Sequence, residues 1–339
     1  MEFLKYKIQN GDTLRSISLR LGITEEELMA FHNAHCEKMD VIWFSNINYV
    51  DFLLVPLHYK TEKQKENERK NELPPLELSD SFYSEKYSVQ EFIEDPFKNT
   101  FFIDYIVKLG ICTDYECKII QFDRKDLKTN DSTPDDKMSN LSLACIRSIF
   151  PVSINLAPTG KITRFYDHQN ILNNFKNKRS DLEDFYIGAI SKIYLDTFEE
   201  NIRDEKYFLK QLKSTILFQT LFPKMEWFHR KTLWLENFYC FQNSFPVPFL
   251  LKTENDHNHH DFVETLIKGN LQEPCSLQEL KRGIKDTDRD PQEFVSTEIS
   301  IRYKTHKINK ILLEAESTLV IAHEGIQYQK HNLILTQIV

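Results

Sequence analysis

The chain has 339 residues, 41% of them hydrophobic and 12% aromatic, so it can bury a large core and is not disordered throughout. Its 43 basic and 51 acidic residues are mixed along the sequence and give a formal net charge of −8, which disfavours nucleic-acid binding. With only 8 glycines and no CxxC pair among its 6 cysteines, the sequence predicts neither a phosphate-cradling loop nor a zinc site, and no cofactor.

The sequence also lacks the marks of an exported or membrane-spanning chain. The segment after Met1 has no basic stretch followed by an apolar one, and no run of about 18 apolar residues occurs later. We therefore expect no Sec signal and no membrane span. The expected location is cytoplasmic as synthesised, with delivery or assembly into a secreted particle left open.

The first elements are a short strand and a capped helix. Tyr6 and Ile8 have strand spacing and precede the turn Asn10-Gly11-Asp12, where glycine can adopt a positive φ. Asp12 or Thr13 can cap a helix that ends at Gly22, a residue type common after helix C-termini. Helical spacing predicts a buried face made of Leu14, Ile17, Ser18 and Leu21.

A second helix and a second strand follow. Thr24 precedes three glutamates that favour a helix N-terminus, and this helix is predicted to close at His32-Asn33. Its buried side is predicted to hold Leu28 and Phe31. The apolar run Phe52–Pro56 ends in proline and predicts a strand that pairs with the first. The predicted order is therefore βααβ.

The stretch YKIQNGDTLRSISLRLGITEEELMAFHN, residues 6–33, resembles the LysM family in its order of strand, GDTL, helix, glycine, capped helix and asparagine. The resemblance covers the N-terminal module only. It implies a non-catalytic module that binds glycans containing N-acetylglucosamine, such as peptidoglycan or chitin, in a shallow groove. The ligand-binding residues carried over by the resemblance are Gly11, Asp12, Thr13 and Leu14 in the first turn, and Val41, Ile42, Trp43 and Phe44 in the later loop.

The later loop departs from the family pattern. Many LysM modules have a short connection that ends in Pro-Gly-Gln, whereas residues 34–47 of this chain form a longer and more aromatic segment. The pair Trp43-Phe44 can stack on a sugar ring or pack against a protein surface, and the sequence leaves both alternatives open.

A charged segment separates this module from the rest of the chain. Residues 60–71 read KTEKQKENERKN and are followed by Pro74-Pro75, as expected of a solvated helix or tether with a stiff end. We therefore assign residues 1–58 to the LysM-like module, 59–80 to the linker and 81–339 to a larger domain of unknown function.

The larger domain alternates between strand and helix signals. Strands are predicted at 101–107, 115–120, 152–156, 162–166, 247–251, 296–304, 310–316 and 325–337, and helices at 169–186 and 187–221. The turn at 157–160, which contains Gly160, predicts a hairpin between the strands that flank it. The apolar positions of the second helix include Ile190 and Ile193, and two late strands alternate as half-buried strands do, at Ile299, Ile301 and Tyr303 and at Ile311, Leu313 and Ala315. The polar segment 125–140 is predicted to be a loop. This order indicates an α+β fold class, with an antiparallel sheet and packed helices. Aromatic residues such as Phe218 and Phe222 fit an ordinary core, or the wall of an apolar ligand site.

Several polar clusters in this domain contain the residue types used in metal binding and catalysis. The stretch 256–261 (DHNHHD) lacks the HExxH spacing of a helical zinc site, and His229 has no nucleophile beside it in the sequence. The carboxylates considered for glycan cleavage are Glu199-Glu200, Asp204-Glu205, Asp286, Asp288 and Asp290. No recognisable hydrolase pattern accompanies them, so we expect no enzyme.

The sequence therefore predicts a non-catalytic LysM-containing protein that binds a peptidoglycan-like glycan. One alternative is a docking or assembly subunit of a contractile injection system, of the type VI secretion or phage-tail kind. A second alternative is a cell-wall hydrolase with an unrecognised catalytic domain. The expected partners are a glycan or a protein of such an assembly.

Overall fold

The computed structural model describes residues 3–57, 62–97, 99–114, 117–283 and 294–338. The chain forms two compact units, Met1–Asn71 and Glu72–Val339. The division falls inside the segment assigned to the linker, and Leu78 of that segment belongs to the core of the second unit. No helix in the described ranges combines the length and apolar character needed to cross a membrane.

The first unit has the predicted βααβ order. Its elements are β1 (Phe3–Lys7), α1 (Leu14–Leu21), α2 (Glu25–His35) and β2 (Phe52–Pro56), followed by the charged helix α3 (Glu62–Glu72). Strands β1 and β2 pair antiparallel, with Lys5 opposite Leu54. The core of this unit includes Leu14, Ile17, Leu28, Ile42, Leu53 and Val55.

Local capping signals fix both helices where the sequence placed them. Thr13 caps α1 and Thr24 caps α2, each in a capping box with the residue three positions later. Gly22 ends α1 with a φ of 70°, a left-handed conformation that glycine adopts without strain.

Two details of this unit differ from the prediction. Leu21 is exposed, because α1 ends there and the chain turns at Gly22, so that Ile23 enters the core instead. Helix α2 continues beyond Asn33 to His35, and Phe31 is only partly buried because its ring stacks on that of His35 at the helix surface.

The second unit is built on a sheet of twelve strands in which all neighbours are antiparallel. They are β3 (Lys86–Glu94), β4 (Thr100–Asp114), β5 (Cys117–Thr129), β6 (Val152–Leu156), β7 (Ile162–Phe165), β8 (Trp234–Tyr239), β9 (Pro246–Asp256), β10 (Phe262–Leu271), β11 (Cys275–Ser276), β12 (Phe294–His306), β13 (Leu312–His323) and β14 (Ile326–Gln337). One meander runs from β3 to β7 and another from β8 to β14. Pairing of β14 with β3 joins the two meanders into one sheet.

The helices of this unit are α4 (Lys137–Ile149), α5 (His168–Phe185), α6 (Ala189–Arg203), α7 (Glu205–Lys213), α8 (Ile216–Leu221), a 3-10 helix (Met225–His229) and α9 (Leu277–Arg282). Helix α8 packs on β13 and β14, and α7 packs on β7. The predicted α+β fold class, a LysM-like module followed by an antiparallel sheet with packed helices, is confirmed.

The predicted loop at 125–140 is wrong at both ends. Strand β5 continues to Thr129, and α4 begins at Lys137. Asp136 caps that helix by accepting hydrogen bonds from the backbone of Met138 and Ser139 at 3.1 and 2.9 Å. The polar composition of the segment reflects this capping turn and not a long loop. Residues 115 and 116, the first two of the strand predicted at 115–120, lie outside the described residues.

The predicted long helix at 187–221 is three helices. Asp204 caps α7 and Thr215 caps α8, so two side chains that compete with continuous helix formation start new helices. Ile190 and Ile193, which the helical spacing assigned to the core, are exposed on α6. Strands β3, β8, β10 and β11 were not predicted, although Val263, Thr265 and Ile267 of β10 are buried in alternation.

The alternation predicted for Ile311, Leu313 and Ala315 is also wrong in part. The pairing of β12 with β13 shifts at Lys304/Thr305, where Thr305 lies opposite Leu312 and Lys304 opposite Glu314. A bulge of this kind places Leu312 and Ala315 on the same buried side. The alternation predicted for Ile299, Ile301 and Tyr303 on β12 is confirmed.

Candidate functional site

Asp12 organises the turn between β1 and α1. Its Oδ2 accepts hydrogen bonds from the backbone N–H of Gln9 at 2.9 Å and from the hydroxyl of Tyr6 at 3.1 Å, and its Oδ1 pairs with Arg20. The Gln9 N–H is the largest influence that lowers the pKa of Asp12, and Arg20 and Tyr6 add to it. Asp12 is therefore a charged structural centre of the turn.

The loop between α2 and β2 is held by two consecutive residues of α2. His32 is fully buried: its Nδ1 accepts a hydrogen bond from the backbone N–H of Leu54 at 3.0 Å, so its Nε2 donates to the carbonyl of Asp40 at 2.8 Å. Asn33 Nδ2 donates to the carbonyl of Ile42 at 3.0 Å, and its Oδ1 accepts from the Ile42 N–H at 2.8 Å. The start of the loop is thereby fixed against the helix.

Tyr49 fixes the next part of the same loop. Its hydroxyl accepts a hydrogen bond from the backbone N–H of Trp43 at 2.8 Å and donates to the carbonyl of Val41 at 3.0 Å. Phe44 and Ser45 follow with φ values of +54° and +58°, which are rare for residues other than glycine. A left-handed phenylalanine is strained, and such strain is concentrated at functional sites.

The aromatic pair of this loop points to solvent. Trp43 is 67% exposed and Phe44 is 97% exposed, and we call this pair the aromatic edge. Met39 of the same loop is 88% exposed. An exposed tryptophan and phenylalanine on a loop fixed by side-chain hydrogen bonds make this edge the candidate contact surface of the module.

The eight residues proposed from the sequence occupy different environments. Leu14 and Ile42 lie together in the core, so their side chains form the base under the two loops and only their backbones can reach a ligand. Asp12 is engaged by Arg20, and Thr13 caps α1. The side chains of Trp43 and Phe44 are largely exposed and available to a ligand. Gly11 has a φ of +93° and open space beside it, and Val41 is partly buried.

The family model of the LysM domain matches residues 6–36. The N-terminal unit contains a LysM domain. This match supports a general role in binding glycans such as peptidoglycan. No curated protein matches the chain.

Among solved structures, the chain is similar to one described as "Lipid-protein interactions in lipovitellin". The two share 12% identity with a TM-score of 0.41, over 75% of this chain and 25% of that one. The chain thus spans about a quarter of the length of that protein. A likeness this distant says nothing about function.

The sequence did not single out His32 as the centre of the LysM module. One part of this arrangement was visible in the sequence, since Asn33 is the asparagine that ends the LysM pattern. In the structure its side chain forms two hydrogen bonds with the backbone of Ile42. The partners of both residues lie 8 to 22 positions along the chain, so only the folded structure shows the contacts.

The histidine-rich turn between β9 and β10 has a structural role. His257 Nδ1 lies 2.6 Å from Glu72 Oε2, and Lys307 lies 3.3 Å from Glu72 Oε1 and donates to the carbonyl of His257. Burial raises the pKa of Glu72, but the hydrogen bonds from His257 and Lys307 outweigh it and lower the pKa overall. Within the described residues, no three His, Cys, Asp or Glu side chains are grouped to hold a metal ion.

The other residues with a possible catalytic role either make structural contacts or lie outside the described residues. Glu199 pairs with both Arg179 and Arg203; burial raises its pKa, but these hydrogen bonds lower it overall. His229 Nε2 donates a hydrogen bond to the carbonyl of Pro74 at 2.6 Å, because a carbonyl oxygen can only accept. Asp204 caps α7. The acidic positions Asp286, Asp288 and Asp290 lie outside the described residues.

Proposed function

We propose that this protein binds a glycan containing N-acetylglucosamine through its LysM module, with the aromatic edge as the main contact. The observation that carries the proposal is the exposure of Trp43 and Phe44 on a loop that Asn33 and Tyr49 fix. In this proposal the backbone of the turn at Gly11 forms the other side of the site.

The chemistry of the edge suits a sugar ring. An aromatic face packs against the apolar C–H face of a pyranose, and a tryptophan keeps an N–H for a hydroxyl or acetamide group. Because hydrogen bonds already order the loop, binding does not incur the full entropy cost of fixing it. The open space beside Gly11 leaves the opposite turn accessible to the acetamido sugar.

A pull-down of the full-length protein on insoluble peptidoglycan and on chitin tests this proposal. We expect Trp43→Ala to weaken binding by about 2 kcal/mol or more, the usual cost of removing a central aromatic anchor. Met39→Ala is the matched control, because Met39 is an exposed apolar residue of the same loop. Equal retention of the Trp43 variant and the wild type on both polymers would rule out the aromatic edge as the sugar contact.

The same edge favours a second candidate, docking on a protein partner in a contractile injection assembly. Met39, Trp43 and Phe44 are all exposed on one loop, and exposed apolar residues clustered in this way are typical of protein contacts. Here Trp43→Ala should reduce co-purification of a partner while glycan pull-down stays negative for the wild type. If the wild type binds the glycan polymers and Trp43→Ala reduces that binding, the ligand of the aromatic edge is the glycan.

We infer that the protein acts without catalysis. Hydrolysis of a glycan needs two carboxyl groups about 5–10 Å apart, one of them with a raised pKa. Glu199 has a lowered pKa and is held by two arginines, which suits a structural ion pair and not a general acid. Incubation with peptidoglycan should therefore release no soluble fragments, and their appearance would overturn this inference.

A further inference from the structure

The second unit contains a cavity of about 610 Å³ between its helices and one face of the sheet. It is lined by residues of α4, α6, α7 and α8 and by residues of strands β3, β4, β5, β8, β13 and β14. Small-molecule sites in proteins commonly measure about 300–1,000 Å³ and combine apolar walls with a few converging polar groups. The cavity has the size for such a ligand.

Most of the walls are aromatic or aliphatic. Phe198, Phe208 and Phe218 line the cavity from the helices, and Phe122 and Leu319 line it from strands β5 and β13. These side chains offer an apolar surface to a hydrocarbon body, which they would remove from water on binding. The walls therefore favour a ligand with an extended apolar part.

On its sheet side the cavity is lined by the carboxylate of Glu91 and by the two residues that hydrogen-bond to it. Glu91 Oε2 lies 2.7 Å from His331 Nε2, and its Oε1 accepts the hydroxyl hydrogen of Tyr105. Burial raises the pKa of Glu91, but His331, the Tyr105 hydroxyl and the charge of Arg124 together outweigh it and lower the pKa overall. Both carboxylate oxygens of Glu91 are thus already bound by the protein.

Arg124 lines the same end of the cavity as Glu91, and its side chain stacks on an aromatic ring. Its guanidinium lies over the Tyr105 ring, with Cζ 5.4 Å from the ring centroid. Across the described ranges of the chain, no carboxylate forms an ion pair with Arg124 at contact distance. A guanidinium carries a planar fork of N–H groups that matches a carboxylate in bidentate geometry.

We propose that this cavity is a binding site for an amphipathic organic anion, a long-chain carboxylate whose apolar chain packs against Phe198 and Phe208 and whose head pairs with Arg124. The ring of Tyr105 stacks on the guanidinium, and both oxygens of the neighbouring Glu91 accept hydrogen bonds from His331 and Tyr105. This site is separate from the glycan-binding function of the LysM module, and neither proposal rests on the other.

Calorimetric titration of the full-length protein with dodecanoate, dodecanol and dodecylammonium tests this site. We expect dodecanoate to bind at least about tenfold more tightly than the other two. Arg124→Gln should remove this preference and leave dodecanol binding unchanged. Arg164→Gln is the matched control, because Arg164 is an exposed arginine of the same sheet on β7.

A second variant tests the apolar part of the site. Gln211 lines the cavity from α7 and is only partly buried, so Gln211→Trp should fill the space without disturbing the core, and both dodecanoate and dodecanol should bind more weakly. Three outcomes overturn the proposal: no binding of dodecanoate up to about 1 mM, a preference for dodecylammonium, or dodecanoate affinity that survives Arg124→Gln. Unchanged melting temperatures would show that the variants are folded.

Discussion

Asn33 and Ile42 form a reciprocal pair of hydrogen bonds, in which one side-chain amide satisfies both the N–H and the carbonyl of a residue nine positions later. The side chain of Asn33 thus makes the two hydrogen bonds to the Ile42 backbone that a paired strand would otherwise make. Because Trp43 follows Ile42 directly, this pair positions the aromatic edge relative to α2.

Replacing Asn33 should therefore weaken both stability and binding. Asn33→Ala removes two partly buried hydrogen bonds and should lower the free energy of unfolding of the first unit by about 2 kcal/mol. Chemical denaturation followed through a probe in this unit measures the loss. Asn48→Ala, an exposed asparagine of the same loop, is the control and should change stability by less than about 0.5 kcal/mol. Equal effects of the two variants would contradict this role of Asn33.

His32→Leu should destabilise the first unit by about 3 kcal/mol, because it leaves the Leu54 N–H and the Asp40 carbonyl without their partner in a buried site. The stability of the purified variant in urea gives the value. His35→Leu is a suitable comparison, since His35 lies three residues later on the same helix and is exposed. A His32 variant as stable as the His35 variant would show that neither hydrogen bond matters.

The ion pairs of Glu72 should make the stability of the second unit depend on acid pH. The pKa of Glu72 is lowered in the folded chain, so its contribution is fully present above the ordinary glutamate pKa and is lost as the pH falls through the lower folded value. Glu72→Gln should lower stability by about 1 kcal/mol near neutral pH and by less in acid. Denaturation at a series of pH values tests this, and a constant difference between the two proteins would refute it.

Arg179 should be the main polar link between α5 and α6. It pairs with Glu183 on its own helix and with Asp196 and Glu199 on α6. Arg179→Met keeps the apolar stem but removes these ion pairs, and should cost about 1–2 kcal/mol at low salt and less at high salt. Lys178→Met, which removes a neighbouring exposed ion pair, should have almost no effect. Melting curves at two salt concentrations compare the variants.

Much of the local structure was predictable because its signals lie within a few residues of each other. Thr13 and Thr24 cap the helices where their sequence positions indicated, and Gly22 ends α1 with a positive φ. The hairpin of β6 and β7 was predicted from the turn that contains Gly160. By contrast, the break of the long predicted helix at Asp204 was missed, because helical spacing continues across the capping residue.

The sequence by itself determined the βααβ order of the LysM module, the exposed nature of the charged segment before Glu72 and the α+β class, since caps, turns and hydrophobic periods act over short distances. Only the tertiary structure decided which side chains meet. The pairing of β14 with β3 brings His331 beside Glu91 across 240 positions, and the cavity lined by Arg124 forms only once helices and sheet pack together. Contacts of this range depend on the closure of the whole sheet, which no local pattern encodes.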